Sequence, residues 1–434
     1  MTRSAARSLA VFFFVGGMAW LLGDGLIRLT AAQSQAGTAP QPAPPAAPAS
    51  QAPPPGQPVF RTGINFVRVD AIVTDRNGRI IPDLTQADFE ITEAGRPQTV
   101  ETFKFVQLGA GQDRSGTEPP RPIASADDEA AEAARDDVRL FSIFLDDYHV
   151  TRTGALQVRD QITRFIQTQI NPSDLIGVMY PLQSLEQVRM TRDRASVLAA
   201  VGQFRGRKFE YTPMNQMEQE YSNYPTDTVE RIRNQVSLSA IKGLLVHMGS
   251  LKEGRKALLL VSEGFSNYLP PQLRDNNAAS PGFNPNRYDP SAGVGDQNED
   301  RARMIATWDM DADLREVYNT ANRSNTAIYA IDPRGLTGTE FGIEQNIGLQ
   351  MDRTYLNATM DTLRTLSYET DGRPIMGRND LLSGMRQITS DSSAYYLLGY
   401  SSTIAPSDGK FHDIKVRVKR SGAQVRSRKG YCCL

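Results

Sequence analysis

The sequence predicts a mixed α/β protein with a mostly parallel sheet covered by helices, plus a small β-sandwich-like domain built from both flanks of the chain. Through the middle of the chain, short apolar stretches alternate with helical patterns, which favours strand–helix–strand units. Near both ends, apolar and polar residues alternate with the period of a strand. The 434 residues, 40% apolar with a net charge of −1, are typical of globular proteins and argue against binding to nucleic acid.

The first 32 residues have the pattern of a secretory signal peptide. Arg3 and Arg7 precede an apolar run from Leu9 to Gly23, and the small residues Ala31 and Ala32 follow. The run is shorter than the roughly 20 apolar residues that a membrane span needs. We therefore expect an exported protein, periplasmic or secreted, without a stable membrane span once the signal is cleaved. Anchoring by an uncleaved signal is the alternative.

Residues 33–58 consist largely of Ala, Pro, Gln and Gly, which predicts a disordered linker. Residues 59–108 form a β-rich segment. Alternation from Val67 to Val73 indicates its first strand, and Asn77-Gly78 is a tight-turn signal. Further strands are predicted at 89–91 and 100–106, with a turn at 94–97.

A second β-rich segment occupies residues 395–434, with strands predicted at 395–400, 411–418 and 425–431. Each flank is marginal alone, so we expect the two to combine into one sandwich of about seven strands. Lys415 and Arg417 alternate with apolar residues, which predicts a solvated strand face. Cys432 and Cys433, the two cysteines, are adjacent near the last residue and predict no disulfide framework.

Residues 109–137 are rich in Ala, Asp and Glu, which predicts an acidic linker. A calcium-binding loop would need alternating Asp or Asn residues with a central Gly, and this stretch lacks that pattern. The central domain, residues 138–394, opens with the predicted strand RLFSIFL, which begins at Arg139. Asp146 and Asp147 follow it directly. Helical spacing follows up to Ile170. The later elements are predicted as strands at 175–180, 256–261 and 326–331, an edge strand at 184–190, helices at 195–204, 227–249, 312–323, 356–368 and 380–391, and a long inserted loop at 265–310.

Parallel strands place their carboxyl ends on one edge of the sheet, where ligands of open α/β folds bind. Asp146 and Asp147 follow the first central strand, Glu263 follows the strand at 256–261, and Asp332 follows the strand at 326–331. The sequence therefore predicts an acidic functional site at this edge.

The central pattern, an apolar strand ending in Asp, a capped long helix and then LLLVSEG, resembles the Rossmann-like von Willebrand factor type A (VWFA) domain. The flanks VTDRNGRIIPDLTQADFEITEAGRPQTVETF and AYYLLGYSS to RSRKGY resemble bacterial exported proteins with a VWFA-related domain. The resemblance covers roughly residues 60–431. It implies a metal-ion-dependent adhesion site, in which Asp-x-Ser-x-Ser, a later Thr and an Asp bind Mg²⁺ or Mn²⁺.

This chain departs from the adhesion motif. Counted from Asp146, the two serine positions hold Tyr148 and Val150; counted from Asp147, they hold His149 and Thr151. Glu263 stands in place of the later Asp, and Thr212, Thr226 and Thr228 are alternatives for the later Thr. The resemblance thus implies a degenerate site whose candidate metal ligands are Asp146, Asp147, Thr151 and Glu263.

Three functions remain open at this stage. The leading hypothesis is a non-enzymatic binding module for an extracytoplasmic protein, with Tyr148, His149 and Asp332 as candidate contact residues. A metal-dependent hydrolase is the second, since two aspartates at a strand end resemble phosphoryl-transfer enzymes of the haloacid dehalogenase type, although His149 replaces their second Asp. A structural cell-envelope protein with a vestigial site is the third.

Overall fold

The computed structural model describes residues 66–108, 120–279, 297–403 and 411–432. The predicted signal peptide (1–32), the linker at 33–58, the first 11 residues of the acidic linker (109–119), part of the inserted loop (280–296) and Cys433 lie outside the described residues, as does the side chain of Cys432. Within the described part of the chain, no helix combines the length and apolar character needed to cross a membrane.

The strands are β1 (Phe66–Thr74), β2 (Phe89–Glu93), β3 (Arg96–Gln98), β4 (Thr102–Gln107), β5 (Leu140–Leu145), β6 (Leu175–Met179), β7 (Lys256–Val261), β8 (Thr326–Ile331), β9 (Ala394–Ser401), β10 (Phe411–Val418), β11 (Gln424–Ser427) and β12 (Gly430–Cys432). Strands β1–β4 and β9–β12 of the described chain belong to the flanking sheets, and β5–β8 form the central sheet. The α-helices are α1 (Ala126–Ala133), α2 (Arg152–Gln169), α3 (Arg194–Gly202), α4 (Gln216–Tyr221), α5 (Thr226–Leu251), α6 (Gln297–Arg323), α7 (Leu349–Glu369) and α8 (Leu381–Asp391).

The central half is a four-stranded parallel sheet in the order β6-β5-β7-β8, flanked by helices. Successive residues of a strand point to opposite faces, so each strand contributes to two apolar cores. Leu258 and Leu260 of β7 face α5, α6 and α7, whereas Leu259 and Val261 face α2, α3 and α8. This arrangement confirms the predicted mixed α/β class and is consistent with a Rossmann-like core.

The flanks form two four-stranded sheets, β11-β1-β9-β4 and β12-β10-β2-β3, whose named strand pairs are antiparallel. Val69 of β1, Ile91 of β2, Leu398 of β9 and Ile414 of β10 belong to one buried apolar cluster, so the two sheets share a core. Strands from both ends of the chain therefore build one sandwich. Of the predicted basic face on β10, Lys415 and Arg417 are exposed.

Several element boundaries differ from the sequence-based expectation. The segment 184–190, predicted as an edge strand, instead contains a short 3-10 helix, Leu185–Gln187. The next residue, Thr191, forms an isolated antiparallel β-bridge with Ile176. The turn predicted at 94–97 is shorter, because Ala94 and Gly95 adopt left-handed backbone conformations and β3 starts at Arg96.

Two segments predicted as loop or linker contain helix. Helix α6 begins at Gln297, so the last 14 residues of the predicted loop at 265–310 are helical. Within the predicted acidic linker, α1 is capped by Ser125 and buries Glu129, whose carboxylate accepts a 2.8 Å hydrogen bond from the Met190 backbone and contacts Arg189. This part of the predicted acidic linker is therefore a helix packed against the protein, with Glu129 buried and hydrogen-bonded.

Tyr396 of β9 ties the sandwich core to a loop, and removing its hydroxyl should destabilise the protein. The hydroxyl donates to the Ile81 carbonyl (2.6 Å) and accepts from the Leu84 amide (3.1 Å). We expect Tyr396→Phe to lower the free energy of unfolding by about 1–3 kcal/mol, because both backbone groups lose their partner. In urea unfolding, the exposed Tyr368→Phe should change it by less than about 0.5 kcal/mol; equal effects of the two changes would contradict the prediction.

Candidate functional site

The carboxyl ends of β5, β7 and β8 meet at one edge of the parallel sheet, and each is followed by an acidic residue. Asp146 and Asp147 follow β5, Glu263 is the second residue after β7, and Asp332 follows β8. The side chains of Asp146 and Glu263 are completely buried and that of Asp332 is nearly so. The predicted acidic residues therefore do lie at one edge of the sheet, but other parts of the protein cover most of their side chains.

Asp146 is held by three polar side chains. The hydroxyls of Ser237 and Ser262 donate to its carboxylate at 2.9 Å and 2.8 Å, and His149 Nδ1 lies 2.9 Å from both carboxylate oxygens. These distances fit a histidine that carries its proton on Nδ1. The ring of His149 packs edge-on against Phe265, with ring centroids 4.9 Å apart. Both carboxylate oxygens of Asp146 are therefore hydrogen-bonded inside the protein.

Asp147 faces a different group of residues. Arg207 donates to its carboxylate at 3.1 Å and also makes two hydrogen bonds to Glu218, at 2.7 Å and 3.1 Å. The Tyr148 hydroxyl donates to the same Glu218 at 2.9 Å, and the Arg207 guanidinium lies over the Tyr148 ring.

Burial raises the pKa of Asp147 to about 6. The attraction of Arg207, which it shares with Glu218, offsets only part of that desolvation, and the nearby Asp146 carboxylate raises the pKa further.

Glu263 and Thr151 are joined by hydrogen bonds. The Thr151 amide and hydroxyl both donate to Glu263 Oε1, at 2.9 Å and 2.8 Å, while the hydroxyl oxygen accepts from the Gly154 amide and caps α2. A β-carbon on Gly154 would lie 2.6 Å from Glu263 Oε1, so only glycine fits there. The other carboxylate oxygen of Glu263 accepts from the Lys208 ammonium at 3.2 Å.

Lys208 joins Glu263 to a second ion pair. Its ammonium also donates to Glu340, which accepts from Arg334 at 2.6 Å, and Arg334 in turn donates to both oxygens of Asp332. This buried chain, Glu263–Lys208–Glu340–Arg334–Asp332, is named the ion-pair chain below. Burial raises the pKa of Glu263, although Lys208 counteracts it. Burial also acts to raise the pKa of Glu340, but Lys208 and Arg334 outweigh it and lower that pKa.

The four predicted metal ligands do not form a metal site as they are arranged here. Asp146 is engaged by His149, Asp147 by Arg207, and the Thr151–Glu263 pair by Lys208, so their free oxygens do not converge. A hard divalent cation needs several oxygens around one point, and a lysine ammonium already contacts Glu263. Within the described residues, no cluster of three or more His, Cys, Asp or Glu side chains could hold a metal ion.

The three residues predicted to contact a partner are also placed differently. Tyr148 is fully buried, and His149 and Asp332 are 3% and 1% exposed. Each points into the protein because it satisfies a buried group: Glu218, Asp146 and Arg334 respectively. The prediction that these side chains form a contact surface is wrong for this conformation.

Backbone hydrogen bonds hold the loop that carries Arg207 and Lys208. The Arg207 amide donates to the Asp147 carbonyl (2.7 Å), and the Lys208 amide donates to the Val150 carbonyl (3.0 Å). The approach is so close at Gly206 that a β-carbon there would lie 2.2 Å from the Val150 carbonyl oxygen. The backbone of this loop therefore fixes the positions of the Arg207 and Lys208 side chains at the sheet edge.

The sequence-based site omitted the cations and most of the hydroxyl groups. Ser262 directly follows β7, and Ser237 interrupts the apolar face of α5, so both positions carried a signal that strand-end and helix periodicity could have shown. Lys208 and Glu340 lie in irregular loops 132 residues apart in sequence. No local pattern pairs them.

Comparisons with known proteins assign no family to the chain. No protein-family model matches the sequence, and no curated protein matches it. Among solved structures, the crystal structure of the human COPII-coat protein Sec24c matches with a TM-score of 0.27 and 8% identity, over 68% of this chain and 43% of that chain. The match thus spans less than half of that protein, and a similarity of this size assigns neither fold family nor function.

The raised pKa of Asp147 predicts a specific pH dependence of stability. The folded state binds this proton more tightly than the unfolded state, so the resulting stabilisation is complete below a pH of about 4 and is lost as the pH rises through about 6. Asp147→Asn has no such proton. Its stability relative to the wild type should therefore increase between about pH 4 and pH 7, by on the order of 2 kcal/mol.

Urea unfolding of both proteins across this pH range measures the difference. Asp83→Asn is the matched control, because Asp83 is exposed and its hydrogen bond from Arg420 lowers its pKa, so its effect belongs below this pH range. Parallel stability curves for Asp147→Asn and the wild type would show that Asp147 titrates normally.

Proposed function

We propose that this chain is an exported, non-enzymatic binding module that contacts an extracytoplasmic protein at the carboxyl edge of its parallel sheet. Its central half is a VWFA-type domain with a degenerate metal-ion-dependent adhesion site. The partner contacts the loops and helix ends that cover the edge, and the buried carboxylates beneath them hold those loops in place.

The distribution of exposed apolar side chains carries this proposal. Of the fifteen large apolar side chains that are exposed among the described residues, nine lie on segments at the carboxyl edge. They fall between the loop before α4 and the start of α5, on the first half of α6, and between β8 and the start of α7: Met214, Met217, Tyr224, Met304, Ile305, Trp308, Leu336, Ile343 and Leu349. Singly scattered apolar side chains are normal on a protein surface, so the feature that supports an interaction site is their enrichment on segments at one edge of the sheet.

The first half of α6 extends beyond the sheet. A helix of 27 residues is about 40 Å long, whereas the six-residue strand β8 that follows it spans only about 20 Å. Trp308, on this extension, is 62% exposed. Beside it, α6 and α7 border a groove of about 330 Å³ with a mixed lining, in which Phe265, Met310 and Leu314 are apolar and Asp311 and Asp361 are acidic. A partner's apolar side chain fits a groove of this size.

Two features support a VWFA-type domain. The first is the sequence resemblance, which spans the strand ending in Asp146, the long helix and LLLVSEG. The second is the parallel sheet in which β5, the strand that carries Asp146, is central beside β7. The absence of converging free oxygens at the described edge favours binding over metal-dependent hydrolysis, because the candidate acids are all committed to internal partners.

Site-specific photo-crosslinking of the full chain in the cells that produce it tests the proposal. Trp308→p-benzoylphenylalanine and Ile343→p-benzoylphenylalanine should each form an adduct with the same protein, since both positions lie on the proposed contact surface. Competition should accompany this result: Trp308→Asp should reduce crosslinking from position 343 about tenfold, the loss expected when one interface anchor worth about 1.4 kcal/mol or more is removed.

Tyr368→p-benzoylphenylalanine and Tyr368→Asp are the matched controls, because Tyr368 is 57% exposed but lies near the opposite end of α7. The proposal fails if positions 308 and 343 yield no adduct, or if position 368 captures the same proteins equally well. Either outcome would leave the structural cell-envelope hypothesis as the better account.

A further inference from the structure

The ion-pair chain at the carboxyl edge places a positive charge on Glu263, one of the candidate ligands of the metal ion that the sequence resemblance implies. Glu263, the residue in place of the later motif Asp, gives one oxygen to Thr151 and the other to Lys208. The Lys208 ammonium simultaneously contacts Glu340. One positive charge thus bridges two carboxylates.

The burial of these groups makes the bridging charge necessary. The side chains of Lys208, Glu263 and Glu340 are 2%, 0% and 1% exposed. A carboxylate removed from water needs a compensating positive charge or must take up a proton. Lys208 and Arg334 together supply two positive charges to the three carboxylates of the ion-pair chain, and Thr151 adds neutral donors to Glu263.

The position of the lysine is fixed by its surroundings. Its amide bonds to Val150, and the following residue, Phe209, has a left-handed backbone conformation (φ of 63°), which is unusual for a bulky side chain. The ammonium also lies 5.4 Å and 5.8 Å from the ring centroids of Phe209 and Tyr355, within the range of cation–π attraction. Carboxylates and aromatic faces therefore surround the charged group and leave little room for an ion beside it.

We propose that the Lys208 ammonium is a built-in replacement for the divalent cation of the adhesion site, so that this edge is held together without a metal ion. The lysine supplies the positive charge covalently, bridges Glu263 to Glu340, and thereby fastens the loop after β8 to the end of β7. The two carboxylates that the lysine bridges are still present when the lysine is replaced. Removing the lysine while keeping both glutamates should consequently create an edge that accepts a divalent ion.

Titration of the full chain with Mg²⁺, Mn²⁺ and Ca²⁺ after treatment with a chelator tests this inference. The wild type and Lys208→Arg should show no heat of binding in calorimetry, and the ions should shift their melting temperatures by less than about 1 °C. Lys208→Met, of similar length but uncharged, should melt at a lower temperature in chelator. At least one of the ions should then raise its melting temperature by about 3 °C or more at saturation.

The double variant Lys208→Met/Glu263→Gln is the matched control and should lose that response, because the bridging carboxylate is gone. The inference is overturned if the wild type binds an ion and Glu263→Gln abolishes the binding. It is also overturned if folded Lys208→Met responds to none of the three ions. Where Lys208→Met does not fold, ion binding by the wild type that Glu263→Gln abolishes still overturns the inference, and this outcome is independent of whether a partner protein binds the edge.

Discussion

The need to compensate buried carboxylates organises the carboxyl edge of the sheet. Four strand-end acids are brought together there by parallel strands, and three of them are almost inaccessible to water. Each is matched by a donor from outside the strands: a histidine, an arginine or a lysine. Because a buried ion pair contributes little net stability over an apolar pair, its main effect is to fix one arrangement of the loops. Removing one member would leave an uncompensated charge, at a cost of about 3–5 kcal/mol.

This constraint explains why the acids themselves are not the exposed surface. The segments that bring Arg207, Lys208 and Arg334 to the edge must cross over the strand ends, and in doing so they cover them. The outer sides of these and neighbouring segments then carry the exposed apolar residues, such as Ile343 and Met214. The inner sides of these loops thus compensate the buried carboxylates, and their outer sides carry exposed apolar residues.

The periodic parts of the fold were predictable from the sequence, whereas the site was predictable only in part. The strands β7, β8 and β10 have the predicted bounds, because buried or alternating apolar runs are local signals. The acids at the strand ends followed from the same signal. Their partners did not, since the pairing of Lys208 with Glu340 depends on two irregular loops that meet only in the folded chain. Helix α1 was missed for a related reason: Glu129 resembles a solvated residue until Met190 and Arg189 are seen beside it.

The discontinuous sandwich has a consequence for the order of folding. Ala71 of β1 pairs with Tyr396 and Ser427, so both neighbours of this strand come from the last tenth of the chain. Such contacts have very large sequence separation, and a strand edge that waits for them stays open to wrong partners during synthesis. A chain that emerges amino-terminus first can complete its parallel sheet while β1 and β4 are still unpaired. Pairing with the carboxyl-terminal strands then completes the sandwich. A premature stop codon near residue 394 would remove β9 and β11, the described partners of β1 and β4, and would leave unpaired strand edges that can pair with other chains.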